Sequence, residues 1–122
     1  MGAVVENIEN MQDNLDYQNG LQVLKEEIAG LEALASSLDG QFIEAVAAID
    51  AMRNNRVGRL IIAGIGKSGH VCRKIAATMA STGTPSYYVH PGEASHGDLG
   101  MVTENDVVLM LSNSGENPEL SD

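Results

Sequence analysis

The groups in this 122-residue sequence best suited to chemistry fall in two short glycine- and hydroxyl-containing stretches. The first, Gly64-Ile65-Gly66-Lys67-Ser68-Gly69, offers backbone N–H groups, one ammonium and one hydroxyl. The second, Ser112-Asn113-Ser114-Gly115, offers two hydroxyls, a carboxamide and further N–H groups. Free N–H groups at a helix start and the positive end of the helix dipole converge on one point and hold an anion. Gly66, Ser68, Ser112, Ser114 and Gly115 are therefore candidate anion-binding residues, and Lys67 is suited to neutralising bound or developing charge. Glu119 adds a carboxylate able to serve as acid or base. Each has an ordinary alternative: a plain turn for the serine stretch, a solvated lysine at position 67, and a partner for a helix dipole at Glu119.

His90, Glu93 and His96 are the other groups with ligating atoms close together. Their spacing of three and three does not place all of them on one helical face, so they do not by themselves read as a metal site. His96 has the alternative of hydrogen-bonding within its own loop. The single cysteine, Cys72, cannot form an internal disulfide, which fits a reducing compartment. It reads as a small buried apolar residue rather than a nucleophile.

The elements that must position these groups are legible in the hydrophobic pattern. Arg59-Leu60-Ile61-Ile62-Ala63 is a continuous apolar run behind a charge, which predicts a strand buried on both faces, as in a parallel sheet. Helical spacing of Val71, Ile75, Ala76 and Met79 predicts a helix over 68–81, stopped at Ser81-Thr82-Gly83 with Pro85 just beyond. Ser86-Tyr87-Tyr88-Val89 and Val107-Val108-Leu109-Met110-Leu111 read as second and third strands, with a loop or short helix over 90–100 and a turn at 103–106. Upstream, Leu21, Leu24, Ile28, Leu31, Ala35 and Leu38 lay one apolar seam along a helix over 17–38, either an oligomerisation helix or one packed on its own domain. Asp39-Gly40 separates it from a second helix, which Asp39 caps and whose inward face is expected to be Phe42, Val46, Ile49 and Met52. Residues 1–16 read as a loosely ordered leader. Alternation of strand, loop and helix, with polar clusters at strand C-termini, makes this an α/β chain with ligand groups at one sheet edge.

Composition narrows the partners. A net charge of −10 argues against nucleic acid or an anionic membrane as the main partner, but not against a small anion held by local amides. Aromatic residues make up 3% of the chain and tryptophan is absent, so ring-stacking sites are not expected. The N-terminus lacks the pattern of a signal peptide and no apolar run approaches transmembrane length, which predicts a soluble, cytoplasmic protein with no membrane partner.

Three readings compete for the first stretch. A triphosphate P-loop requires its leading glycine where this chain has Ile61. A dinucleotide fingerprint is met by Gly64, Gly66 and Gly69, but Val89 and His90 stand where the acidic residue after the second strand is needed. A sugar-phosphate site needs no metal and no further signature, and the parallel serine stretch after another buried strand favours it.

Four motifs then bring a specific resemblance: Gly64 to His70, Ser81-Thr82-Gly83-Thr84-Pro85, His90 to Met101, and Ser112 to Glu116. In this order and spacing, residues 17–122 resemble the sugar isomerase (SIS) domain of arabinose 5-phosphate isomerases. The resemblance implies a flavodoxin- or Rossmann-like parallel-sheet sandwich, here the N-terminal helices plus about three strands of a normally five-stranded sheet. It implies interconversion of D-ribulose 5-phosphate and D-arabinose 5-phosphate through an enediolate, feeding 3-deoxy-D-manno-octulosonate and lipopolysaccharide synthesis, with no redox cofactor. By similarity Lys67 and Glu119 are catalytically relevant, Gly83, Thr84, His90 and His96 contact substrate, and His90 offers a contact to zinc. Such isomerases continue through further strands and often CBS domains, so the expectation is a partial domain with little turnover of its own and a tendency to form a homo-oligomer. A non-catalytic sugar-phosphate sensor is the alternative, since SIS domains also serve in regulators.

Overall fold

The computed structural model describes residues 8–92 and 98–113, and the chain divides between Phe42 and Ile43 into two compact units. Within the expected leader, Ile8–Asp13 form a 3-10 turn. Helix α1 follows over Leu15–Ser37. It starts two residues ahead of the expected Tyr17 because Asn14, in extended conformation, accepts the Tyr17 N–H on its side chain at 3.1 Å. Asp16 in the first turn complements the dipole. The predicted seam is present as a stripe of exposed residues: no residue of α1 is buried, and Leu31 is 67% exposed.

Helix α2 spans Gly40–Asn55. Asp39 caps it as expected, its carboxylate accepting the Gln41 N–H at 2.9 Å. Arg56 ends it with φ +61, the left-handed conformation that stops a helix. The expected inward face is only half realised. Met52 is 3% exposed and Ile49 is partly buried, but Phe42 and Val46 are 53% and 50% exposed. The reason is geometric: α2 reaches the buried cluster only near its C-terminal end, where the chain turns into the sheet.

The sheet is built from β1 (Leu60–Ala63), β2 (Ser86–Val89) and β3 (Val107–Met110), with α3 over Gly66–Ser81 crossing from β1 to β2. Its order is β2-β1-β3 and both pairings are parallel. The central strand is buried along its whole length, as its unbroken apolar run predicts. Leu60 and Ile62 form one core cluster with Met52, Cys72 and Ala76, joined by Ile75, Met79 and Tyr88. Full burial of a leucine or isoleucine side chain contributes about 1.5–3 kcal/mol. On β3, at the sheet edge, Val108 and Met110 remain 41% and 54% exposed.

The start of β1 is tied to the turn before β3. Asp106 accepts the Arg59 N–H at 2.8 Å on one carboxylate oxygen and the Thr103 N–H at 2.8 Å on the other. Gly58 packs so tightly here that a β-carbon would stand 1.8 Å from the Asn105 carbonyl oxygen. These contacts set β1 and β3 in register, and the register decides where the loops at their far ends emerge. Among the described residues no helix is long and apolar enough to cross a membrane.

Candidate functional site

The parallel sheet delivers three candidate segments to one edge. The glycine loop leaves the end of β1, His90 follows β2, and Ser112 follows β3. Pairing of Ala63 with both Val89 and Met110 puts the three exits level with each other. The ladder continues one bond further, from the Leu111 N–H to the Ala63 carbonyl at 2.9 Å, so Ser112 begins beside Gly64.

Helix α3 begins at Gly66, two residues before the expected Ser68. Lys67 and Ser68 therefore sit inside its first turn. Ile65, the residue before the helix, is extended and gives no side-chain cap, and the first intrahelical bond runs from Gly69 N–H to Ile65 carbonyl at 3.2 Å. The N–H groups of Gly66, Lys67 and Ser68 consequently have no partner inside the helix, which is the condition for holding an anion. Lys67 is exposed beside them.

The three glycines of this loop have different physical reasons. Gly66 takes φ +59 with nothing within 4 Å of a built β-carbon, so its need is conformational and the space outside it is open. At Gly64 a β-carbon would lie 2.7 Å from Cys72 Sγ and 3.0 Å from the Leu111 carbonyl oxygen, and at Gly69 2.9 Å from the Gly64 carbonyl oxygen. Those two are glycines because the loop is pressed against its supports. Cys72 is one support: it is fully buried, and burial pushes its thiol pKa up, so it stays a packed thiol.

Sequence reasoning does not single out the second support. The Tyr88 hydroxyl donates to the Gly64 carbonyl at 2.5 Å and lies 3.0 Å from where a Gly69 β-carbon would be. The Arg73 guanidinium stands over the Tyr88 ring at 4.3 Å. The available signal is a hydroxylated ring on a strand flanking the glycine loop, in a chain with few aromatics.

His90 is exposed at the same edge, and its Nδ1 accepts the Gly92 N–H at 3.0 Å. Ser112 is partly buried. His96, Ser114, Gly115 and Glu119, with Glu93, lie outside the described residues. Gly83 and Thr84 are not brought to this edge. Gly83, with φ +101, terminates α3, and the Thr84 N–H closes the helix end on the Met79 carbonyl at 2.9 Å. Thr84 is buried, and both residues precede β2, about 13 Å from the loops for a four-residue strand. Two grooves at that opposite edge have volumes of about 410 and 240 Å³. Arg53, Arg56, Gly83 and Pro85 line the larger, and Val46, Ile49, Met79 and Thr84 line the smaller.

A parallel α/β sheet whose strand ends bring the uncapped start of α3 beside Ser112 defines an α/β domain with a candidate anion site at one edge. Its family is shown by the family model for the SIS domain, which matches residues 54–122, and the chain belongs to that family. It is 48% identical over 112 residues to the arabinose 5-phosphate isomerase KdsD of Pseudomonas aeruginosa, covering 91% of this chain and 33% of that protein. It is 52% identical over 103 residues to KdsD of Francisella tularensis, covering 84% and 31%. A solved Escherichia coli CFT073 protein in complex with arabinose 5-phosphate superposes with a TM-score of 0.74 at 40% identity, covering 88% of this chain and 56% of that one. The chain thus spans about a third of the length of these curated relatives.

Proposed function

We propose that this chain carries the phosphate-binding part of a D-arabinose 5-phosphate/D-ribulose 5-phosphate isomerase. The observation that supports it best is the uncapped first turn of α3 standing beside the loop after β3, in a chain similar to a protein solved with arabinose 5-phosphate. In this reading Gly66, Ser68, Ser112, Ser114 and Gly115 hold the phosphate through N–H and hydroxyl donors. Aldose–ketose isomerisation moves one proton between C1 and C2 and another between the two oxygens, through an enediolate. Lys67 stabilises the negative charge on the enediolate oxygen or the phosphate, Glu119 serves as acid or base, and His90 and His96 contact the sugar. The chemistry is a proton shuffle, so no redox cofactor is assigned.

Gly83 and Thr84 stay in the proposal only as contacts supplied by a second copy, since one chain holds them at the opposite edge. That accords with a homo-oligomer associated through the exposed α1 seam. The host compartment assigned is the cytoplasm, in keeping with the buried free thiol of Cys72.

The test is titration of the 122-residue chain with D-arabinose 5-phosphate, followed by amide NMR, alongside a coupled isomerase assay. Shifts centred on Gly66, Lys67 and Ser68 with little turnover are expected. Absence of saturable shifts at those amides would remove the reading, and isomerase rates equal to those of full-length relatives would show that residues beyond this chain are dispensable.

A further inference from the structure

We propose that two copies of this chain pair through antiparallel α1 helices, in the register where Lys25 of each copy faces Glu32 of the other. This geometry rests on the homo-oligomer assigned above and is independent of the sugar phosphate.

Leu21, Ile28 and Ala35 recur at every seventh position of α1, and Leu24, Leu31 and Leu38 stand three positions after each, the last of them at the helix C-cap. Alternating steps of three and four are the two inner positions of a coiled-coil seam. All six residues are exposed, and no residue of α1 is buried. The positions flanking such a seam carry the charges that choose its partner. On one side Lys25 and Glu32 follow Leu24 and Leu31; on the other Glu27 and Leu34 precede Ile28 and Ala35. The ion pairs among the described residues are Arg53–Asp50 and Arg59–Asp106, so Lys25, Glu27 and Glu32 are not neutralised within the chain.

These charges distinguish the possible pairings. In a parallel pair, the residue preceding one seam position faces the partner residue five positions further on, which sets Glu27 against the partner's Glu32 on both sides of the seam. Like charges oppose that arrangement, and the two helix dipoles would lie side by side in the same direction. In an antiparallel pair the dipoles oppose each other, and residues that follow the seam face residues that follow it in the partner. Placing Ile28 opposite the partner's Leu31, Leu24 opposite the partner's Ala35 and Leu21 opposite the partner's Leu38 brings Lys25 to the partner's Glu32, once on each side of the two-fold axis. Glu27 then lies beside the partner's Leu34, and no like charges meet. A shift of one heptad in one direction sets Lys25 against the partner's Lys25 and Glu27 against the partner's Glu27. A shift in the other direction sets Glu32 against the partner's Glu32. The apolar stripe supplies the attraction, and the charges select orientation and register by penalising the alternatives.

The experiment is sedimentation equilibrium of the 122-residue chain at low salt, with variants at exposed positions of α1. Glu32→Lys is expected to weaken self-association about fivefold or more by setting a second lysine against Lys25, and Lys25→Glu to do the same with two carboxylates. The double variant Lys25→Glu/Glu32→Lys exchanges the charges and is expected to return to within about twofold of wild type, a recovery that mere loss of helix would not give. In a parallel pair Glu32→Lys would relieve Glu27 and tighten association, and that result overturns the orientation. Mixed Lys25→Cys and Glu32→Cys chains are expected to form a disulfide-linked pair under mild oxidation that neither variant forms alone, the buried Cys72 taking no part. No mixed product, or crosslinking by either variant alone, overturns the register. A wild-type chain that stays monomeric removes the homo-oligomer assigned above and the pairing with it. Self-association that is indifferent to all three charge variants keeps that oligomer and overturns α1 as its interface.

Discussion

The Tyr88 hydroxyl donates to the Gly64 carbonyl at 2.5 Å, so the strand on one side of the sheet centre holds the turn that opens the glycine loop. The bond spans 24 positions in sequence and closes the end of β1 against β2. Tyr88→Phe keeps the ring under Arg73 and removes only this donor, leaving a part-buried carbonyl without it. The expected cost is about 1–2 kcal/mol in urea unfolding. Amide hydrogen exchange should quicken over Gly64 to Ser68 while α2 stays protected. Unchanged exchange in the loop would show that Tyr88 packs there without positioning it.

Gly64 and Gly66 separate packing from conformation within one loop. Gly64→Ala forces a β-carbon toward Cys72 Sγ and the Leu111 carbonyl, and should destabilise by about 1–3 kcal/mol through overpacking. Gly66→Ala meets open space but retains φ +59, and should cost about 1 kcal/mol. Adding Cys72→Ala to Gly64→Ala should recover part of the loss and do nothing for Gly66→Ala. Equal recovery in both backgrounds would contradict the assignment.

Asp106 makes the sheet sensitive to acid. The Thr103 N–H, followed by the Arg59 N–H, holds its pKa below the ordinary 3.8. The folded value is depressed relative to the unfolded one, so the group's contribution is fully present above the unfolded pKa and is lost as pH falls through the folded pKa. Asp106→Asn should flatten the acid limb of the stability–pH curve below about pH 4 and leave its neutral limb parallel to wild type. An unchanged acid limb would place the titrating group elsewhere.

What is legible in the sequence follows from how each feature is encoded. β1, α3, β2 and β3 are local patterns: an unbroken apolar run, a 3.6-residue period, glycine and proline stops. The start of α3 lies two residues ahead of the expected one because Ile65 carries no capping side chain, so the helix begins on geometry that Gly66 permits. The exposure of Phe42 and Val46 is not legible, because a helical period tells which face is apolar and not how far along the helix a neighbour reaches. At the site, the glycine loop, Ser112 and His90 come together because parallel strands end at one edge. Gly83 and Thr84 are drawn to the same site by motif resemblance, and the chain places them at the other end of β2. The supports of Tyr88 and Cys72 depend on contacts across the sheet that no local pattern announces.

At Lys67 stability and the proposed function pull in opposite directions. A cation in the first turn of α3 faces the positive end of the helix dipole, and no acidic residue in that turn offsets it. Lys67→Ala should therefore leave stability unchanged or slightly higher, by up to about 1 kcal/mol at low salt. In the full-length protein the same substitution removes the charge proposed to stabilise the enediolate, and the expected fall in kcat is about 100-fold or more. Lys67→Arg keeps the charge with a different reach and should lie between the two. Near-normal turnover of Lys67→Ala would take the residue out of the chemistry. A large loss of stability would mean that Lys67 holds the loop itself, although the exposed position and the unfavourable dipole both argue for a lysine kept for a ligand's charge.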